Sequence, residues 1–419
     1  MDQENRQGLD QPGLFYGWVM VAAGFFIMCF AMGTILNCYS LFVKPICKDL
    51  GYARQQIALN ASLHSCGQMT VALFSGKIFK RFKPRTVMIA SAVVMTAATV
   101  SYSFATNLPM FYLSAILVGL SMGGITTVPL SLIISNWFHQ KRGTAIGICF
   151  TGSGVGGMIF SPIVGKVIVQ SGWRAAFLVL AGVMAVTLLP LALFIKNSPK
   201  DKGLRPLGEG REITNIQEIG DGVTLSEAKG TAKFWLILGV SVVMSASSGP
   251  LMNTLSPYLT DLGYDYSFAA MMASLSMGAL AVGKTALGQI YDRVGNRKAT
   301  ALAGVAAVLG LASMVFAQNK IALAPYLVGT GFACAFGSVA YPILTRALFG
   351  EKDYTSIYGV VSFANSLGVA ISPIIATWFY DNMGSYRYAY YVMIVAAVVA
   401  TTIFVRLLPN EKKAQEVQA

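Results

Sequence analysis

Twelve runs of apolar residues, each long enough to cross about 30 Å of hydrocarbon as a helix, follow one another along the chain. They fall at 18–42, 56–79, 86–106, 110–138, 143–168 and 175–194, then at 234–259, 268–291, 299–317, 322–349, 357–379 and 388–408. A polar stretch rich in Gly, Pro and charge, 196–233, separates the two sets and reads as a linker. The pattern predicts an all-α membrane protein of 12 transmembrane helices. These form a six-helix bundle at 18–195 and a second at 234–408, with polar tails at 1–17 and 409–419. Within the linker, 225–233 reads as a short surface helix capped at Thr224 or Ser226.

Composition supports this reading and removes others. Hydrophobic residues make up 55% of the chain, charged residues 12%, and mean hydropathy is +0.61, whereas soluble domains carry about 25% charged residues. The net charge of +13 would suggest nucleic acid on a soluble protein. Here 23 of the 31 basic residues sit in tails and short loops on one face and seven on the other. They therefore set orientation, with both termini cytoplasmic in a multi-pass cell-membrane protein, and nucleic acid is not a partner. The first 14 residues are polar and the first apolar run is too long for the core of a cleavable signal. The six cysteines lie mostly inside apolar runs without metal or redox spacing, and read as small packing residues. No phosphate loop, metal cluster or nucleotide fingerprint occurs, so no cofactor is implied. An enzyme needs a nucleophile and a base in reach, and the nearest pair, His64 and Cys66, lies on different faces of one helix. Nothing in the sequence requires a partner chain, and a monomer is expected.

All 18 acidic residues lie in tails, loops or helix ends, so a proton relay built on a buried carboxylate is not expected. One cation does lie deep in a span. Lys284 sits in the eighth run, where insertion of a lysine costs about 2.5 to 3.5 kcal/mol unless a cavity or partner meets it. It reads as the receiver of a substrate's negative charge. The competing readings are a structural pairing, extension to the inner surface, and a proton or conformational switch.

The two sets of spans repeat each other. GKIFKRFKPR (76–85) follows the second run and GQIYDRVGNRK (288–298) the eighth. Two related six-helix halves around a midplane site are a transporter plan. The second copy has the inner-loop pattern G-x-x-x-D-R-x-G-x-R in Gly288, Asp292, Arg293, Gly295 and Arg297, and on these residues the chain resembles the major facilitator superfamily. That resemblance implies two pseudo-symmetric bundles and a latch at this loop. Physically, Gly288 permits close helix approach, Gly295 a turn of positive φ, and Asp292 a cap on a neighbouring helix. The first copy departs from the pattern with Lys80 at the Asp position and Lys83 at the second Gly, so its latch is weaker or differently built.

FYGWVMV (15–21), GSGVGGMIFSP (152–162) and GKTALGQIYDR (283–293) together resemble the monocarboxylate transporters and the oxalate:formate antiporter group. The resemblance implies transport of a small organic anion by alternating access, with H+ symport or exchange for a counter-anion, lactate and pyruvate being typical substrates. It places Lys284 where that group has a carboxylate-binding Arg. A lysine keeps the charge but loses the planar fork. Leu280 stands where the eukaryotic members have a proton-coupling Asp, and Asn365 where the oxalate antiporter has a second cation. A single fixed positive charge suits a monoanion. Polar residues on the cavity-facing spans one, four, seven and ten are secondary candidates: Asn37, Thr126, Thr127, Asn253, Tyr258 and Tyr341. Asn60, His64 and Gln68 form a polar stripe on the second span, and His64 is a proton-coupling candidate or a packing residue. The rival reading is an exporter of neutral or amphipathic drug-like compounds with the same fold.

Overall fold

A computed structural model of the chain describes residues 15–52, 54–208 and 222–408. The tails at 1–14 and 409–419, the linker middle at 209–221 and the side chain of Asn253 lie outside the described residues.

Nine helical stretches among the described residues are apolar and long enough to cross a membrane. The first begins at Tyr16–Ala31, passes through a π turn at Met32–Leu36 and continues as Tyr39–Leu50; together these are α1. The turn falls where Gly33 lies against Gly156, whose Cα would stand 2.5 Å from a Cβ added at Gly33. Next come α2 (Arg54–Arg81), α3 (Pro84–Ser103) and α4, which is Leu108–Ile125 and Thr127–Trp137 broken at Thr126 (φ −101°, ψ −113°). Arg142–Phe194 bends at Gly172 (φ 83°), a backbone state that glycine tolerates, and so holds two spans, α5 at 142–171 and α6 at 173–194.

The second set is α7 (Ala232–Asn253 with Leu255–Asp261), α8 (Tyr266–Val294), α9 (Asn296–Val315), α10, α11 (Tyr354–Met383) and α12 (Arg387–Leu407). Like α1, α10 is segmented: Leu323–Ala335, a π turn at Phe336–Ala340, and Tyr341–Phe349. The least apolar spans are α2 and α8, which carry His64 and Lys284. These helices cross between the two sets, α2 packing on α11 and α8 on α5; the Lys284 face of α8 meets α5, whereas the His64 face of α2 packs inside the first six helices.

Both ends of the linker are pinned. Its first part forms a 3-10 turn at Pro199–Lys202 and pairs Leu207 with Phe138 after α4. Its last part is a helix at Leu225–Lys229, shorter than the sequence suggests, with a capping box between Thr224 and Glu227. The linker and the α2–α3, α4–α5, α8–α9 and α10–α11 connections share one face, here the linker face. Opposite it is the distal face. One apolar cluster draws its buried residues only from 20–195. A second, at the linker face, adds Ala72 and Val128 to residues of α7–α12. A third, toward the distal face, draws its buried residues only from 251–397. Apolar contact between the two sets is therefore concentrated near the linker.

Candidate functional site

The backbones of α5 and α8 touch. A Cβ on Gly147 would stand 2.5 Å from the Lys284 carbonyl oxygen, and one on Gly143 equally 2.5 Å from that of Gly288. Thr151 reinforces the pair by donating to the Ala281 carbonyl at 3.0 Å and sharing a 2.8 Å bond with the Thr285 hydroxyl. On this packed seam the Lys284 side chain turns toward α5, and only 6% of the residue is exposed. Its Nζ donates to Ser153 Oγ at 2.6 Å and to the Phe150 carbonyl at 3.1 Å. On α1, Asn37 Nδ2 donates to the Ser153 carbonyl at 2.8 Å, with Gly157 making room for its amide. Lys284 is 10 residues from the linker-face end of α8, about 15 Å at 1.5 Å per residue, which is membrane interior rather than headgroup depth.

Charge balance sets this node apart. The ion pairs among the described residues are Lys80–Asp353, Arg174–Asp49 and Arg346–Glu351, and none involves Lys284. A buried ammonium, which has three N–H donors, is held here by two neutral oxygens. Such a group has affinity left for an anion.

The other candidates fall into different environments. Tyr341 is fully buried, bonded to the Ser241 carbonyl at 3.1 Å and to Ser245 Oγ at 3.1 Å, and Ser245 in turn donates to Asn365 Oδ1 at 2.7 Å. Tyr341 and Asn365 thus belong to one polar knot between α7, α10 and α11, with Gly337 against the Asn365 amide. Tyr258 packs in an aromatic group at the distal end, 5.3 Å from the Tyr390 ring and 6.2 Å from that of Tyr386. Thr126 bonds back to the Met122 carbonyl at the break in α4, and Thr127 opens the next segment half-buried. His64 is enclosed within the first six helices: Nε2 meets the Tyr102 hydroxyl at 2.9 Å and the ring stands edge-on to Tyr39. Asn60 is buried beside it, while Gln68 is half-buried. Ser153 and Ser245, which join the polar knots, were not singled out by sequence; serines in Gly-rich or apolar runs read as packing residues.

At the linker face the two sequence copies make opposite contacts. In the second, Asp292 accepts from the backbone N–H groups of Gly143 at 2.8 Å and Thr144 at 2.7 Å, capping the start of α5 across the junction. Gly295 turns at φ 80°. Arg293 is exposed and Arg297 half-buried. In the first copy Lys80 reaches across to Asp353, just before α11, at 2.9 Å. The carboxylate thus sits on the receiving side, where it also accepts from Ser356 Oγ at 2.6 Å and the Leu225 N–H of the linker helix at 3.1 Å. The contact is differently built, with its polarity reversed. Ser131 to Tyr354 at 2.8 Å and Ser75 to the Thr355 carbonyl at 3.1 Å complete the closure of this face.

Partial burial works against ionisation of Asp353, but Ser356, Lys80 and the Leu225 amide outweigh it and hold the carboxyl below its usual range. Its contribution is therefore present above the ordinary carboxylate pKa and is lost only in acid, as pH falls through the depressed value. Because the Lys80 side chain is 68% exposed, Lys80→Met is expected to cost less than about 1 kcal/mol. Asp353→Ala, which orphans three donors, should cost more. Lys80→Asp with Asp353→Lys should fail to restore the contact, since lysine cannot accept from Ser356 or Leu225. Thermal unfolding of the purified variants checks the order.

Comparison with known proteins agrees with this architecture. Two solved sugar transporters share the fold: the fucose:proton symporter of E. coli (TM-score 0.71, 14% identity, 94% of this chain and 98% of that one) and the proton:xylose symporter XylE (0.71, 15%, 94% and 96%). The chain is a multi-span membrane transporter, not an enzyme. The family model described as Major Facilitator Superfamily matches residues 21–341 and 322–419, and the chain belongs to that family. Among curated relatives, monocarboxylate transporter 12 of Mus musculus is 25% identical over 96% of this chain and 87% of its own length, and that of Xenopus laevis 27% over 93% and 88%. A probable sulfoacetate transporter of Cupriavidus necator is 25% identical over 83% and 84%.

Proposed function

We propose that this protein carries a small organic monoanion, a monocarboxylate such as lactate or pyruvate, across the cell membrane by alternating access. The linker face and both termini are cytoplasmic in this reading, and the chain acts as a monomer. The observation that carries it is the Lys284 ammonium, buried where the two sets of helices meet and held, among the described residues, by neutral oxygens. Relatives named for monocarboxylates and for sulfoacetate have an anionic cargo in common, which supports an acid over a neutral drug. Asn37 and Thr127 are the candidates from the first half. Asn253, Tyr258, Tyr341 and Asn365 are the candidates from the second, with Tyr341 acting through the knot that orients Asn365. Gly288, Asp292, Arg293, Gly295 and Arg297 form the latch that closes the cytoplasmic side.

The test is uptake of labelled lactate, pyruvate and sulfoacetate into proteoliposomes, with a pH gradient or with a trapped counter-anion. Saturable uptake of lactate or pyruvate driven by either supports the reading and identifies the coupling, whereas uptake of the dianion sulfoacetate alone overturns the monoanion assignment. Transport of neutral amphiphiles alone overturns it. His64→Gln is expected to leave any pH-gradient stimulation in place, because the imidazole is packed between Tyr39 and Tyr102. Stimulation lost with exchange retained would instead make His64 the proton carrier.

A further inference from the structure

This inference rests on the anion reading of Lys284 and names a residue that governs it. The acceptors that hold the ammonium, Ser153 Oγ and the Phe150 carbonyl, belong to α5, whereas the lysine belongs to α8, so both bonds cross between the two halves that must move. Ser153 is itself held in place. Its hydroxyl donates to the Phe150 carbonyl at 3.0 Å, which leaves its lone pairs for the lysine, and its backbone carbonyl takes Asn37 Nδ2 from α1.

We propose that Ser153 is a positioning residue that holds the Lys284 ammonium across the junction in competition with the transported anion. A hydroxyl and a carbonyl are neutral acceptors, weaker partners for an ammonium than a carboxylate. They orient the amine and yield it to an incoming anion, and in yielding it they release a tie between α5 and α8. An acid at position 153 would hold the amine permanently. Alanine would leave it to the anion, and would also let the unloaded carrier reorient more freely.

The experiment measures binding of labelled lactate and pyruvate to the purified full-length protein, and exchange against net uptake in proteoliposomes. Ser153→Ala is expected to tighten binding by about threefold to tenfold, the effect of losing a competing bond worth about 1 kcal/mol. It should also lower the ratio of exchange to net flux. Ser153→Thr, which keeps the hydroxyl, should restore both toward the parent, and Ser153→Asp should abolish binding. If Ser153→Ala does not fold, Ser153→Cys, close in volume and a poor acceptor, is expected to move both readouts in the same direction. Unchanged or weakened affinity in the folded alanine or cysteine variant overturns the role of Ser153. Binding of the two acids that survives Lys284→Ala, or a parent protein that binds neither, overturns the underlying anion reading instead.

Discussion

Lys284→Ala is expected to abolish transport while the protein remains folded and in the membrane. Truncating one partner of a buried charge pair costs about 2 to 5 kcal/mol, because the charge left behind has nothing to meet it. At 1.4 kcal/mol per decade, that is a loss of roughly 30-fold to several thousandfold in substrate affinity. Lys284→Arg keeps the charge and should retain partial activity. Its planar fork must nevertheless fit a seam where Gly147 lies against the Lys284 backbone. Lys284→Met separates function from structure. It removes a costly buried charge, so the melting temperature should hold or rise as uptake disappears. Uptake near the parent level in the methionine variant would remove Lys284 from the site.

How much of this was legible in the sequence depended on the range of the interaction. Helix number and order follow from the length and spacing of the apolar runs, although α2 and α8 are less apolar than the rest and fall outside the nine apolar stretches among the described residues. Breaks within spans were not visible. The π turn at Met32–Leu36 answers to a glycine 123 residues away in sequence, Gly156. Lys284 stood out because a charge in an apolar run is expensive wherever it points. Its partner Ser153 did not, because a serine beside glycines is consistent with packing alone. Tyr341 shows the opposite limit: identifying α10 as cavity-facing does not identify which of its faces, and this hydroxyl is spent inside the knot with Ser241 and Ser245. The loop pattern does not mark Asp353, because it places the first copy's acid on α2, whereas the carboxylate lies on the other side of the contact.

Gly288→Val is expected to give the second large effect, through geometry rather than charge. A Cβ at Gly288 would stand 2.1 Å from the Gly143 carbonyl oxygen and 2.7 Å from its carbon, and these are backbone atoms that no rotamer change can move. Valine must therefore wedge α5 from α8 at the linker face. The Asp292 bonds to Gly143 and Thr144, at 2.8 and 2.7 Å, cannot survive a displacement of even about 1 Å with good geometry. The start of α5 then loses its cap and the closed linker face its fastening. Net transport should fall by more than about tenfold, since 1.4 kcal/mol lost from one end state already shifts its population by that factor. A cysteine in place of Ser131, whose hydroxyl makes the Tyr354 contact, should label more readily from the linker side with Gly288→Val than with Gly288 intact. Gly278→Val is the matched control: it lies on the same helix, a Cβ there meets nothing within 4 Å, and it should be tolerated. Equal behaviour of the two valine variants would mean that the α5–α8 seam tolerates separation and that Asp292 does not hold this face closed.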